Sequence, residues 1–170
     1  MNHRLKLNYR FASLFLGLFA TFLFLASLYF QYVEQLEPCP LCISQRVAVF
    51  VLAISYLSGF LIKKTFWMRF NIIFQFIFGI FGASMAGRQV WLMHIPASER
   101  TGCMPDISLL WHYLPFREIV RAFFSGTESC TENIWSWLGI TMPEWTLGFF
   151  VFFILASIFL CFRYLRCRGE

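Results

Sequence analysis

Four uncharged stretches dominate this chain: Phe11–Val33, Val47–Ile62, Phe70–Gly87 and Trp145–Phe162. A helix of about 20 apolar residues crosses a bilayer, with a range of roughly 17 to 25, and lipid offers no water to an unpaired backbone group. The first, third and fourth stretches reach that length unaided. The second reaches it if its helix begins near Ile43 and carries Arg46 in its outermost turn, where a long side chain snorkels to the interface. The expectation is an all-α membrane protein, a single domain over residues 1–170. It is a four-transmembrane-helix bundle with helices near residues 11–33, 43–62, 70–87 and 145–162. A chain that is 59% hydrophobic and 14% charged suits this class, since a soluble domain rarely has such a composition.

Orientation follows from the basic residues. Arg4, Lys6 and Arg10 precede the first stretch, Lys63, Lys64 and Arg69 lie between the second and third, and Arg163, Arg166 and Arg168 follow the fourth. All fall on one side, whereas Glu34, Glu37, Glu99, Asp106, Glu118, Glu128, Glu132 and Glu144 fall on the other. The positive-inside rule makes both termini cytoplasmic, as in a multi-pass protein of a bacterial inner membrane. The net charge of +5 is then a topology signal. No nucleic-acid partner is expected, because the basic residues are divided among three membrane-flanking segments. The first stretch is longer than the roughly 7–15 residues of a signal-peptide core and lacks a small-x-small cleavage site, so it reads as a retained helix.

Residues 88–144 form the expected periplasmic loop. Within it Phe116, Ile119, Val120, Phe123 and Phe124 recur at helical spacing opposite Arg117, Glu118 and Arg121, the pattern of a short amphipathic helix lying on the bilayer. Ser125-Gly126-Thr127 reads as a joint, and Thr141-Met142-Pro143-Glu144 has the capping-box spacing that starts a helix. In the third stretch Gly79, Gly82, Ala83, Ala86 and Gly87 are small residues at near-helical repeats, which lets helix backbones approach in lipid.

The chemistry concentrates at Pro38-Cys39-Pro40-Leu41-Cys42-Ile43-Ser44-Gln45-Arg46. Proline is tolerated in the first helical turn and biases the residue before it away from helix, so Cys39 stands at a helix entrance and Cys42 inside the first turn. The unpaired N–H groups and dipole there favour a thiolate. Arg46 lies on the face of Cys42, one turn on. A c-type haem site would need histidine at Ile43, and a zinc ribbon would need a second close pair, whereas Cys103 and Cys130 are far apart. Dithiol–disulfide exchange fits the pattern better, with metal-binding and purely structural roles still open. Cys161 and Cys167 lie toward the reducing side and are given no role.

The motif Pro38-Cys39-Pro40-Leu41-Cys42-Ile43 with Arg46 resembles the quinone-side motif of the DsbB family of disulfide bond formation proteins. The resemblance continues through Gln89-Val90-Trp91-Leu92-Met93-His94, the pair Cys103 and Cys130, Ser125–Cys130 and Trp137–Trp145, and covers residues 10 to 163. It implies a protein-disulfide oxidoreductase, a thiol:quinone enzyme. A reduced periplasmic DsbA-like thioredoxin-fold protein attacks a Cys103–Cys130 disulfide, most readily at Cys103. Cys130 then exchanges with Cys39–Cys42, and the electron pair passes to a membrane quinone, ubiquinone or menaquinone. The catalytic residues implied are Cys39, Cys42, Cys103 and Cys130, the quinone-binding ones Arg46, His94 and Gln89, with no metal.

Redox arithmetic shows why a simple staple would not serve. Structural disulfides have potentials below about −300 mV while DsbA sits near −120 mV, so feeding electrons from DsbA to a staple runs uphill by ~180 mV, or roughly 8 kcal/mol for two electrons. An electron sink beside Cys42 removes that obstacle. The DsbA–DsbB–quinone route is already known as the system that keeps a bacterial periplasm oxidising. Two other classes compete. A relative of vitamin K epoxide reductase would place its loop cysteines before the membrane-proximal pair, and here Cys39 and Cys42 come first. A metal-handling protein would use the four outer thiols as soft ligands.

Overall fold

The computed structural model describes residues 3–35, 38–62, 64–95 and 136–166. The helices are α1 (His3–Tyr32), α2 (Pro40–Leu61), α3 (Thr65–His94) and α4 (Met142–Arg166), and a two-stranded hairpin, β1 (Ser136–Trp137) and β2 (Ile140–Thr141), leads into α4. Among the described residues four helices are long and apolar enough to cross a membrane, over Asn8–Tyr32, Pro40–Leu61, Phe66–His94 and Met142–Arg163. The protein is a four-helix membrane protein. The amphipathic helix expected over Phe116–Phe124 and the joint at Gly126 lie outside the described residues.

The helices are longer than the apolar runs that announce them. α3 begins at Thr65 and continues to His94, so Arg69 and Arg88 are both helical. α2 likewise starts at Pro40, ahead of the apolar run near Ile43 and with Cys39 at its entrance as the proline implies. A charge ends a hydrophobic run without ending the ladder of backbone hydrogen bonds, because arginine and lysine are good helix formers. Where α4 starts, Glu144 Oε2 accepts from the Thr141 backbone N–H at 2.7 Å and from the Thr141 hydroxyl at 2.8 Å. That is the returning bond of a capping box, satisfying a donor the helix cannot. The hairpin pairs Ser136 with Thr141 and Trp137 with Ile140. Its turn residues, Leu138 (φ 56°) and Gly139 (φ 78°), are both left-handed, as a two-residue type I′ turn requires.

Neighbours in sequence are neighbours in space: α1 packs on α2, α2 on α3 and α3 on α4. Phe19 of α1 meets Phe149, Phe152 and Phe153 of α4 at ring-centroid distances of 5.9 to 6.0 Å, which brings the ends of the chain's helical order together. The stripe of small residues on α3 does its packing unevenly. A Cβ placed on Gly82 would stand 2.1 Å from the Phe150 ring, and one on Gly79 would stand 3.0 Å from Ile154. Gly87 has nothing within 4 Å. The outer faces carry Phe15, Phe22, Phe66 and Phe159 in exposed positions, the inverse of a water-soluble core and suited to lipid.

Polar groups in the interior are tied to one another. Asn71 accepts from the Tyr9 hydroxyl (3.3 Å) and donates to the Ser55 carbonyl (3.1 Å) and Ser58 Oγ (3.2 Å), which links α1, α2 and α3. Tyr56 donates to the Phe153 carbonyl at 3.2 Å and pairs with Ser157 Oγ at 2.8 Å, which links α2 to α4. Each bond spares a polar group the cost of apolar burial and fixes one helix against the next.

Candidate dithiol site

Pro40 sets the site. Cys39 is the N-cap of α2, with extended backbone at φ −70° and ψ 164°, and its sulfur accepts the Cys42 backbone N–H at 3.4 Å. One of the helix's orphan donors is therefore spent on Cys39 Sγ, the sulfur nearest the positive end of the dipole. Cys39 Sγ and Cys42 Sγ stand 3.1 Å apart, well beyond the roughly 2.05 Å of a disulfide bond. Cys39 is buried and Cys42 half-buried. Leu41, Met85, Phe81 and Leu92 form an apolar wall around the pair.

Gln89 closes the site from α3. Its Nε2 lies 3.3 Å from Cys42 Sγ and 3.6 Å from Cys39 Sγ, and its Oε1 lies 3.6 Å from Cys42 Sγ. That same oxygen accepts a 2.8 Å hydrogen bond from Gln45 Nε2. Both glutamines are 5% exposed. Gln89, a residue that the family resemblance gives to the quinone, lies against the two sulfurs. Gln45 was not expected in the site at all. An amide one turn into an apolar helix must find a partner, and that requirement marks it in retrospect.

Arg46 points elsewhere than its shared face with Cys42 suggests. Its guanidinium crosses to α1, hydrogen-bonding Gln31 Oε1 and, at 3.1 Å, the Ser27 carbonyl. Among the described residues its Nε is buried with no hydrogen-bond partner. Gln31, the one amide in the run Phe11–Val33, is a second residue that sequence reasoning passed over. His94 ends α3 on the exposed surface, with Nδ1 2.8 Å from the Val90 carbonyl. Cys39, Cys42, Gln45 and Gln89 are thus brought together, with Arg46 alongside on α2 and His94 at the exposed end of α3. Cys103, Cys130 and Cys167 lie outside the described residues.

A family model described as "Disulfide bond formation protein DsbB" matches residues 9–160. The chain is 38% identical over 146 residues to "Disulfide bond formation protein B" of Nitrosococcus oceani, covering 85% of this chain and 86% of that one. It is 38% identical over 131 residues to the protein of the same name from Methylococcus capsulatus, 76% of this chain and 80% of that one. The Acinetobacter baumannii protein of that name is 32% identical over 162 residues, 94% of this chain and 95% of that one. With four membrane-crossing helices and a cysteine pair capping the second, this chain belongs to the DsbB family of disulfide bond formation proteins, a multi-pass bacterial membrane protein with a disulfide oxidoreductase role.

Proposed function

We propose that the protein is a thiol:quinone oxidoreductase of the bacterial inner membrane, with both termini cytoplasmic. It reoxidises a periplasmic DsbA-type dithiol oxidase through Cys103/Cys130 and then Cys39/Cys42. The observation that carries this reading is the Cys39–Cys42 pair, held 3.1 Å apart at the mouth of a membrane-spanning helix. Apolar Phe81, Met85 and Leu92 pack against that pair.

The exchange steps balance. A partner thiolate attacks Cys103, breaks Cys103–Cys130 and frees the Cys130 thiolate. The partner's second thiol resolves the mixed disulfide, which leaves the partner oxidised and the loop pair reduced. Cys130 then attacks Cys39, with Cys42 leaving as thiolate, and Cys103 resolves that bond in turn. Each exchange moves two electrons and keeps one disulfide in play. Re-forming Cys39–Cys42 releases two electrons and two protons.

A bound quinone supplies the two-electron, two-proton sink. The residues present fit such a ring: the wall about the dithiol is apolar, and Arg46 Nε is a buried donor without a partner among the described residues, suited to a carbonyl oxygen. Arg46, His94 and Gln89 are the residues that would hold it. Mixing the purified protein with reduced DsbA-type protein and ubiquinone or menaquinone tests the reading: one quinone consumed per partner disulfide formed is expected, and partner oxidation without quinone loss contradicts it.

A further inference from the structure

We propose that Gln45 is a positioning residue for the dithiol: it fixes the Gln89 carboxamide with its N–H donors toward Cys39 and Cys42, where they support whichever sulfur carries negative charge during exchange. This deepens the redox role proposed for the pair and rests on it. A carboxamide has a donor end and an acceptor end of nearly equal shape, so Gln89 alone does not decide which faces the sulfurs. Oε1 turned toward a thiolate repels it; Nε2 turned toward it makes a charge-assisted bond, stronger than a neutral one. In the structure Gln45 Nε2 donates to Gln89 Oε1 at 2.8 Å, which leaves Nε2 for the sulfurs; Gln89 flipped by itself would set two donors against each other. Both side chains are buried, so water does not compete.

The distances agree with this assignment. Gln89 Nε2 is nearer to Cys42 Sγ than Oε1 is, 3.3 Å against 3.6 Å. Cys39 Sγ accepts the Cys42 backbone N–H at 3.4 Å, and the Gln89 amide donates to Cys42 Sγ at 3.3 Å. The two sulfurs are the titratable groups here. Among the described residues, Arg46 bonds to Gln31 and Ser27 of α1, and Arg88 lies over the Trp91 ring at 5.7 Å.

The test needs neither partner nor quinone, so its failure is distinct from failure of the redox reading. Full-length reduced protein in detergent micelles is alkylated with iodoacetamide across a pH series, and Cys42 is followed by peptide mass spectrometry. Gln89→Met is expected to move the Cys42 profile upward by about one pH unit, or about tenfold slower alkylation at neutral pH. Gln45→Met moves it the same way by less. The double variant moves it no further than Gln89→Met, because Gln45 acts through Gln89. Unchanged Cys161 alkylation reports an intact bundle; if Gln89→Met disturbs it, Gln45→Met alone decides. A wild-type Cys42 profile in either single variant, or shifts that add in the double, overturns the proposal.

Discussion

Arg46 of α2 is held by Gln31 of α1, fifteen residues earlier in the chain, through a guanidinium–amide hydrogen bond beside the dithiol helix. The partner of this charge at the membrane edge is thus an amide, with no carboxylate among its described contacts. Replacing Gln31 with leucine leaves the guanidinium short of an acceptor, a loss of about 1–3 kcal/mol for a part-buried charged donor. Gln31→Leu is expected to lower the unfolding midpoint in detergent micelles and to raise the KM for quinone several-fold. Gln31→Glu, which keeps an acceptor, is expected to do neither.

Gly82 and Gly87 separate packing from propensity on one helix. The ring of Phe150 occupies the space a Gly82 side chain would need, so Gly82→Ala forces α3 and α4 apart or twists Phe150. The expected cost is about 1–3 kcal/mol, the usual range for overpacking. Gly87→Ala meets nothing within 4 Å and is expected to be neutral or to stabilise by up to about 1 kcal/mol through helix propensity. Thermal unfolding of the two variants in the same detergent reads the contrast.

Asn71 is the hub of the interior polar cluster, bonded to Tyr9, Ser55 and Ser58. Interhelical hydrogen bonds in membranes average about 0.6 kcal/mol and reach about 1.7, so Asn71→Leu is expected to destabilise by ~1–2 kcal/mol. Tyr9→Phe in that background is expected to add less than it costs alone, because its partner is already gone. A double-mutant cycle by chemical unfolding in mixed micelles checks this.

Much of this fold was legible because bilayers impose a crude code. Runs free of charge announced the four helices, Pro40 placed Cys39 at the N-cap, and Thr141 with Glu144 announced the start of α4. The helix ends were harder to read, since Arg69 and Arg88 interrupt hydrophobicity but not hydrogen bonding. The hairpin was missed because its turn is Leu138-Gly139, and a leucine with positive φ lacks the Asn-Gly signature. At the site, a shared helix face put Arg46 near Cys42 correctly in register, yet a long side chain chose an acceptor on another helix. The Gln45–Gln89 bond joins residues 44 apart, a tertiary contact that no local spacing encodes.

The central claim is that thiol electrons leave the protein for quinone through the pair capping the second helix. Quinone reduction driven by reduced DsbA-type protein, measured in membranes for the wild type and for Cys39→Ser, Cys42→Ser and Cys103→Ser, tests it most directly. The account predicts steady turnover for the wild type and loss of sustained turnover in all three variants. Undiminished turnover in Cys39→Ser or Cys42→Ser would contradict it.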